Sequence, residues 1–181
     1  MTQEYASDLA LFINGHWRSG EGRETLRVLN PAFGSGIADL PVATAADLEE
    51  ALAAAEQGFS AWRMVDVDTR GAILRKAATL IRERADTIAV LLTTEQGKPK
   101  AEALGEIMGA ASFFDFYAEE AKRAYGRVLV RPTGQRAMVL KQPVGPVAGF
   151  TPWNFPVYML AKKLAPALAA GCSVIAKPAE E

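Results

Sequence analysis

Hydrophobic positions in the first 42 residues fall into short runs separated by turn-forming residues. Leu11-Phe12-Ile13 is followed by Asn14-Gly15, and an Asn-Gly pair beside an apolar run is a strong signal for a β-hairpin. Two further apolar runs, Leu26 to Leu29 and Ile37 to Val42, have the length of β-strands. The pattern therefore predicts a small β layer at the N-terminus.

From Thr44 onward the apolar residues recur with the period of an α-helix. Thr44 and Asp47 have the spacing of a capping box, with Asp in the place of the usual Glu. The apolar face of this helix is Leu48, Ala51, Leu52, Ala55 and Phe59. A second helix is predicted from a cap at Asp68 or Thr69 to Gly97. Its apolar stripe is Ile73, Leu74, Ala77, Leu80, Ile81, Ile88 and Leu92.

A third helix and a protruding hairpin are predicted next. Pro99 suits the first turn of the helix, which extends to about Tyr125. Its buried face is Ile107, Ala111, Phe114 and Ala118. Strands at Arg127–Val130 and Ala137–Lys141 then flank a Pro-Thr-Gly turn. Because this hairpin carries arginines and few apolar side chains, it is predicted to find its partners elsewhere, on another subunit.

The C-terminal segment has the pattern of one βαβ unit. The apolar runs Val147 to Phe150 and Val174 to Ala176 flank a helical pattern with leucine at every fourth position. Strands joined in this way are parallel, so both end at the same edge of the sheet. The Trp153-Asn154 loop and the Lys177–Glu180 loop are therefore predicted to meet there, where open α/β sheets bind ligands.

Polar residues in these two loops are the candidates for chemistry. The Asn154 amide can donate a hydrogen bond to a developing oxyanion, which lowers a barrier by about 3 kcal/mol, and Pro152 and Pro156 stiffen its loop. The alternative is a turn-forming asparagine. Glu180, just past a strand end beside Lys177, suits a ribose hydroxyl and repels a 2′-phosphate. Ordinary surface charges are the alternative for this pair.

Composition and charge narrow the function classes. The chain has 181 residues with a net charge of −1, which does not indicate binding to nucleic acid or to an acidic membrane. Lys162 and Lys163 interrupt the longest apolar stretch, so no transmembrane helix is predicted. Met1 to Ala10 lacks the basic and apolar regions of a signal peptide. With a single Cys no disulfide forms within the chain, and a cytoplasmic location is expected.

Neither the only cysteine nor the only histidine is predicted to be catalytic. Cys172 lies between the end of the helix and the second strand, where a buried structural cysteine is expected. His16 has no cysteines or carboxylates near it in the sequence, so no metal site is predicted.

Three motifs make the chain resemble the aldehyde dehydrogenase superfamily. They are T-T-E-Q-G-K-P-K-A-E-A from Thr93, T-P-W-N-F-P from Thr151, and A-L-A-A-G-C-S-V-I-A-K-P-A-E-E from Ala167. The resemblance runs from Leu11 onward and is greatest for the succinate-semialdehyde and 2-oxoglutarate-semialdehyde branch. It implies an α/β fold that is the N-terminal part of the family fold, truncated, with the catalytic domain absent.

The resemblance also implies a division of the chain and a role for each matching residue. Residues 1–126 would be strands and helices of the cofactor-binding domain, 127–142 the oligomerisation β-hairpin, and 143–181 the first βαβ of a Rossmann-like NAD(P)-binding domain. Asn154 matches the oxyanion-hole asparagine, and Phe155 would face the substrate tunnel. The cofactor-binding positions would be Thr151, Pro152, Trp153, Asn154, Lys177, Pro178, Ala179 and Glu180.

Members of this family use a cysteine thiolate, NAD(P)⁺ and a glutamate-activated water to oxidise aldehydes to acids. That cysteine and that glutamate are expected beyond residue 181, and Cys172 does not match the catalytic motif, so the chain alone is expected to be inactive. The longer parent is expected to be a homodimer or homotetramer. The alternative is a non-catalytic truncated product that self-associates through residues 127–142.

One departure from the semialdehyde branch concerns the substrate. Lys162 stands where an arginine is expected to hold the distal carboxylate of the substrate. Lysine keeps the charge but cannot make the planar two-point contact. A carboxylated semialdehyde such as succinate semialdehyde is still the expected substrate, and Glu180 favours NAD⁺ over NADP⁺ as the cofactor.

Overall fold

The computed structural model describes residues 9–180. Residues 1–8, whose composition predicts no signal peptide, and the final Glu181 lie outside the described part. The elements in chain order are β1 (Leu11–Ile13), β2 (His16–Arg18), β3 (Thr25–Leu29), β4 (Gly36–Pro41), α1 (Ala45–Trp62), α2 (Val67–Glu83), α3 (Ala85–Gln96), α4 (Lys100–Glu120), β5 (Arg127–Leu129), β6 (Ala137–Val139), β7 (Val147–Phe150), α5 (Pro156–Ala170) and β8 (Val174–Lys177).

The predicted N-terminal strands are confirmed, and they form two antiparallel pairs. β1 pairs with β2 across the Asn14-Gly15 turn, where the two residues have φ values of 51° and 79°. Two positive φ values are what the tightest hairpin turns require, and Asn and Gly tolerate them best. β3 pairs with β4, and these two pairs are separate small sheets within the described part of the chain.

Asp47 joins the N-terminal strands to α1. The predicted capping box is present, with Thr44 N donating to Asp47 Oδ2 at 2.8 Å and Asp47 N donating to Thr44 Oγ1 at 3.2 Å. The same carboxylate accepts hydrogen bonds from Arg23 at 2.5 Å and from Arg18 at 2.7 Å. The bonds from Arg23 and Thr44, with a smaller contribution from Arg18, hold the pKa of Asp47 well below its usual range.

Two predicted boundaries of the second helix are wrong. The N-cap of α2 is Asp66, whose Oδ1 accepts from Thr69 N at 2.9 Å, and Asp68 lies inside the first turn. The single helix predicted up to Gly97 is divided at Arg84, which has φ −102° and ψ 7°. The apolar stripe continues across this break, so hydrophobic spacing alone does not reveal it.

The other helices also differ from the prediction in detail. The third predicted helix, α4, ends at Glu120 rather than near Tyr125, and a short 3₁₀ turn follows it. On α1, Leu48 is 54% and Leu52 is 48% exposed. The apolar face predicted for this helix is therefore only partly covered, because α1 contacts β1 and β8 and its buried positions are Asp47 and Ala55.

Helix α4 is the centre of the core, and α2, α3 and α5 pack against it. Its buried positions include the four predicted ones and are Ala103, Glu106, Ile107, Ala110, Ala111, Phe114 and Ala118. From α5, the buried residues are Ala161, Ala165 and Ala169. The leucines that define the predicted stripe lie beside these alanines and are partly buried. Small side chains at the contact let α4 and α5 approach closely, with Glu106 as the charged member of the interface.

The predicted βαβ unit is confirmed. β7 and β8 are parallel, with Val147 opposite Val174 and Phe150 opposite Lys177, so β8 extends one residue beyond its predicted end. Helix α5 begins at Pro156 and ends at Ala170, and its C-cap residue Gly171 has a φ of 96°. This left-handed conformation favours glycine and terminates the helix.

Side chains from α1 and α2 fix the C-terminal end of α5. Trp62 Nε1 donates to Leu168 O at 2.9 Å, and Arg70 Nε donates to Ala169 O at 3.2 Å. Leu168 O also accepts from Gly171 N at 3.1 Å, and both carbonyls belong to the last turn, where side-chain donors supplement the backbone bonds of the helix. The buried Ser173 Oγ then donates to Ala55 O at 2.7 Å, which ties the start of β8 to α1.

Strands β5 and β6 form the predicted hairpin, but both end earlier than predicted, at Leu129 and Val139, so each strand has three residues. Its apolar side chains are largely exposed, at 74% for Val128, 99% for Val130, 70% for Met138 and 69% for Leu140. The hairpin therefore presents apolar surface that the described part of the chain does not bury.

Candidate functional site

The two candidate loops meet at the carboxyl edge of the parallel strands. Thr151 N donates a hydrogen bond to Lys177 O at 3.1 Å, directly after the strand pair. The loop that follows Thr151 turns its side chains toward solvent, and Trp153 is 55% exposed. Pro152 and Asn154 are exposed as well. An indole, an amide and the Lys177–Glu180 segment thus share one open edge.

The same edge has groups that fit part of a dinucleotide. Lys177 Nζ lies 2.9 Å from Glu180 Oε1, and both side chains are exposed, with Pro178 and Ala179 between them in the chain. Thr151 Oγ1 is buried and has no hydrogen-bond partner among residues 9–180. A buried hydroxyl requires a partner, so a polar group of a bound NAD(P) at this edge would suit it, while Glu180 suits a ribose hydroxyl.

An open pocket of about 430 Å³ lies between α4 and α5. It brings together Phe155 and Lys162, the two residues that the sequence predicts for substrate contact. Its lining residues are Glu102, Gly105, Glu106, Phe155, Tyr158, Met159 and Lys162. The pocket has aromatic and aliphatic walls, the exposed ammonium of Lys162, and the carboxylates of Glu102 and Glu106, of which Glu106 is paired with Lys98. An organic molecule with an anionic end would fit with that end at Lys162.

Sequence reasoning missed the ion pair that supports this loop. Glu106 and Lys98 form a salt bridge in which the side chains are 1% and 9% exposed. Lys98 Nζ also donates to Asn154 O at 2.9 Å. The signal in the sequence is that Glu106 occupies a position on the apolar face of α4, three residues after Ala103 and one before Ile107. A carboxylate at such a position needs a buried partner.

Cys172 is buried, as predicted, and neither Cys172 nor His16 belongs to the two loops at this edge. Cys172 is 4% exposed and precedes β8. It therefore lies at the amino ends of the parallel strands, whereas Asn154 follows the carboxyl end of β7. His16 is exposed on β2. Within the described residues, no group of three or more His, Cys, Asp or Glu side chains is placed to hold a metal ion. None of the helices described in residues 9–180 is long and apolar enough to cross a membrane.

Comparison with known proteins identifies relatives over nearly the whole chain. The model of the aldehyde dehydrogenase family matches residues 17–181. A glutarate-semialdehyde dehydrogenase of Pseudomonas putida is 46% identical over 171 residues, which are 94% of this chain and 36% of that protein. The Escherichia coli succinate-semialdehyde dehydrogenase GabD, whose name specifies NADP(+), is 44% identical over 93% of this chain and 35% of its own length.

The fold comparison agrees with the sequence comparison. The crystal structure of an aldehyde dehydrogenase from Brucella melitensis biovar abortus 2308 superposes with a TM-score of 0.92 at 46% identity. The match covers 97% of this chain and 36% of that one. The chain therefore spans about a third of the length of the relatives it matches, and it matches their N-terminal portion.

Proposed function

This chain belongs to the aldehyde dehydrogenase family, and we propose that it is the N-terminal part of an enzyme that oxidises an anionic aldehyde to the acid with NAD(P)⁺. The observation that carries the proposal is the hydrogen bond of 3.1 Å between Thr151 N and Lys177 O. This bond brings Asn154 and the Lys177–Glu180 pair to one edge of the sheet. Oxidation of an aldehyde with NAD(P)⁺ at this edge needs both a hydrogen-bond donor for the oxyanion and polar groups that bind the ribose of the cofactor.

Asn154 is the proposed oxyanion donor. When a nucleophile attacks an aldehyde carbon, the carbonyl oxygen gains negative charge, and a side-chain amide held in place can donate a hydrogen bond to it. Bound NAD(P)⁺ supplies the oxidising power by accepting hydride. Thr151, Pro152 and Trp153 would border the nicotinamide. The buried Cys172 lies at the opposite edge, so the nucleophile is proposed to come from a longer protein, and the chain alone is proposed to be inactive.

The pocket beside Phe155 is the proposed binding site for the body of the substrate. Lys162 places one exposed positive charge on its wall, and the glutarate- and succinate-semialdehyde relatives act on aldehydes that carry a distal carboxylate. Lysine attracts such a group as a point charge. Lys162 would therefore contribute to affinity for an anionic aldehyde while allowing variation in the geometry of the anion.

For the cofactor, we propose a preference for NAD⁺. The carboxylate of Glu180 would accept a hydrogen bond from the ribose hydroxyl and repel a 2′-phosphate. The ammonium of Lys177, 2.9 Å away, offsets part of that repulsion. The preference is therefore expected to be moderate rather than absolute.

Steady-state kinetics of the longer enzyme that contains this chain test the proposal. Asn154→Ala should lower kcat by about 10²- to 10³-fold. Asn30→Ala is the matched control, because the side chain of Asn30 accepts a local bond from Ala32 N at 2.9 Å in the turn after β3 and does not contact the Asn154 loop. Equal activity of the two variants would refute the oxyanion role.

The same assay tests the substrate class and the cofactor. Lys162→Met should raise KM for succinate semialdehyde and leave KM for a neutral aldehyde of similar length unchanged. Lys163→Met removes the neighbouring charge, which does not line the pocket, and serves as the control. A KM that rises equally for both aldehydes would contradict the anion-binding role. The value of kcat/KM should be higher with NAD⁺ than with NADP⁺.

The hairpin supports a second candidate, in which the chain is a non-catalytic product that self-associates through residues 127–142. Val130 and Val128 are 99% and 74% exposed, and exposed apolar strands tend to pair with other chains. Size-exclusion chromatography of the 181-residue chain, with and without a Val128→Lys substitution, tests whether the chain self-associates through this hairpin. A monomer in both cases would eliminate self-association through this hairpin.

A further inference from the structure

We propose that Lys98 and Glu106 are positioning residues that hold the Asn154 loop in the geometry an oxyanion donor needs. The inference rests on the proposed role of Asn154. Both residues come from the α3–α4 region, about 50 positions earlier in the chain. They form a buried ion pair. The pair contacts the carbonyl of Asn154, the ring of Phe155 and the first turn of α5.

Glu106 caps helix α5 from outside the helix. The N-cap residue Phe155 provides no side-chain hydrogen bond, and Pro156 opens the helix without an N–H group. Glu106 Oε1 accepts from Val157 N at 2.9 Å and from Tyr158 N at 3.1 Å. These are the free N–H groups of the first turn, where a negative charge is favourable. The carboxylate therefore fixes where α5 begins, two residues after Asn154.

Lys98 fixes the loop from its other side. Its ammonium pairs with Glu106 Oε2, donates to Asn154 O at 2.9 Å and lies 4.3 Å from the centre of the Phe155 ring. One cation thus contacts the carbonyl of Asn154 and the side chain of the next residue. Because the side chain of Lys98 is only 9% exposed, water does not readily replace these contacts.

The orientation of the Asn154 amide follows from this arrangement. The side chain is exposed and has no side-chain hydrogen-bond partner among residues 9–180, so the backbone that carries it determines which positions the amide can reach. That backbone is held at the carbonyl by Lys98 at 2.9 Å, with a longer bond of 3.4 Å from Gln96 Nε2, and through the first turn of α5 by Glu106. A displacement of about 1 Å at a reacting centre can reduce a rate about a hundredfold. The pair is therefore expected to affect kcat through Asn154, without contact with the substrate's reacting atoms.

A double-mutant cycle in the longer enzyme tests this inference. Lys98→Met alone should lower kcat by about tenfold to a hundredfold, and Lys98→Arg should restore part of it. In the Asn154→Ala background, Lys98→Met should change kcat less than about twofold, because coupled residues are not additive. Lys100→Met is the control, since Lys100 pairs only with the exposed Asp86 at 3.1 Å. Glu106→Gln should behave like Lys98→Met and replaces it if that variant fails to fold.

The outcomes separate this inference from the proposed function. If Asn154→Ala leaves kcat unchanged, the oxyanion role fails. If Asn154→Ala lowers kcat but Lys98→Met lowers it by the same factor in both backgrounds, the positioning role is overturned and the oxyanion role stands. The NMR signal of the Asn154 side-chain amide in this chain is a readout that does not depend on enzyme activity. It should shift in Lys98→Met and not in Lys100→Met, and an unchanged signal in both would also overturn the inference.

Discussion

Replacing Arg70 by Met is expected to detach the C-terminal end of α5 from α2. Arg70 Nε donates to Ala169 O at 3.2 Å, and Arg70 Nη1 donates to Val65 O. Methionine keeps most of the aliphatic length of the side chain. The substitution therefore removes two hydrogen bonds and a positive charge at the end of a helix, with little change in packing volume.

The expected loss follows from these interactions. A hydrogen bond from a charged group contributes about 1.5–3 kcal/mol, and a cation near a helix C-terminus contributes about 0.3–1 kcal/mol. Arg70 is only half-buried, so water can take over part of the bonding to the two carbonyls. We therefore expect Arg70→Met to lower the free energy of unfolding by about 2–4 kcal/mol.

Arg75→Met is the matched control on the same helix. Arg75 pairs with Glu119 at 2.6 Å, with side chains 42% and 51% exposed, and exposed ion pairs contribute about 0–1 kcal/mol. Urea denaturation followed by circular dichroism gives the free energy of unfolding of both variants. If the free energies of unfolding of Arg70→Met and Arg75→Met differ by less than about 0.5 kcal/mol, the hydrogen bonds of Arg70 do not stabilise the end of α5.

Two further predictions concern stability. Since the pKa of Asp47 is lowered in the folded chain, its stabilisation is present above the ordinary pKa, near roughly pH 4, and is lost as the pH falls below it. The melting temperature of the wild type, scanned by circular dichroism, should fall more steeply with acidification than that of Asp47→Asn. Gly105→Ala, with no atom within 4 Å of the added Cβ, should stabilise α4 by about 0.5–1 kcal/mol. Gly109→Ala, whose Cβ would lie 2.9 Å from the Tyr158 ring, should destabilise it by about 1–3 kcal/mol; equal melting temperatures for the two alanine variants would contradict this reading of the α4–α5 contact.

Features with a local physical cause can be predicted from the order of the residues. Asn14-Gly15 predicts its hairpin because two adjacent residues tolerate positive φ. Thr44 and Asp47 predict the start of α1 because the capping bonds span only three residues. The motifs around Asn154 and Lys177 were sufficient to identify the family. The βαβ pattern was sufficient to predict that both loops lie at one edge of the sheet.

Features that depend on partners distant in the chain become visible only in the folded structure. The break at Arg84 leaves the apolar stripe uninterrupted, so only packing of the following helix against α4 reveals it. Leu48 looks like a core residue by spacing, but α1 turns another face toward its neighbours. Above all, Glu106 and Lys98 meet the Asn154 loop across about 50 residues, and no local pattern specifies contacts that folding alone brings together.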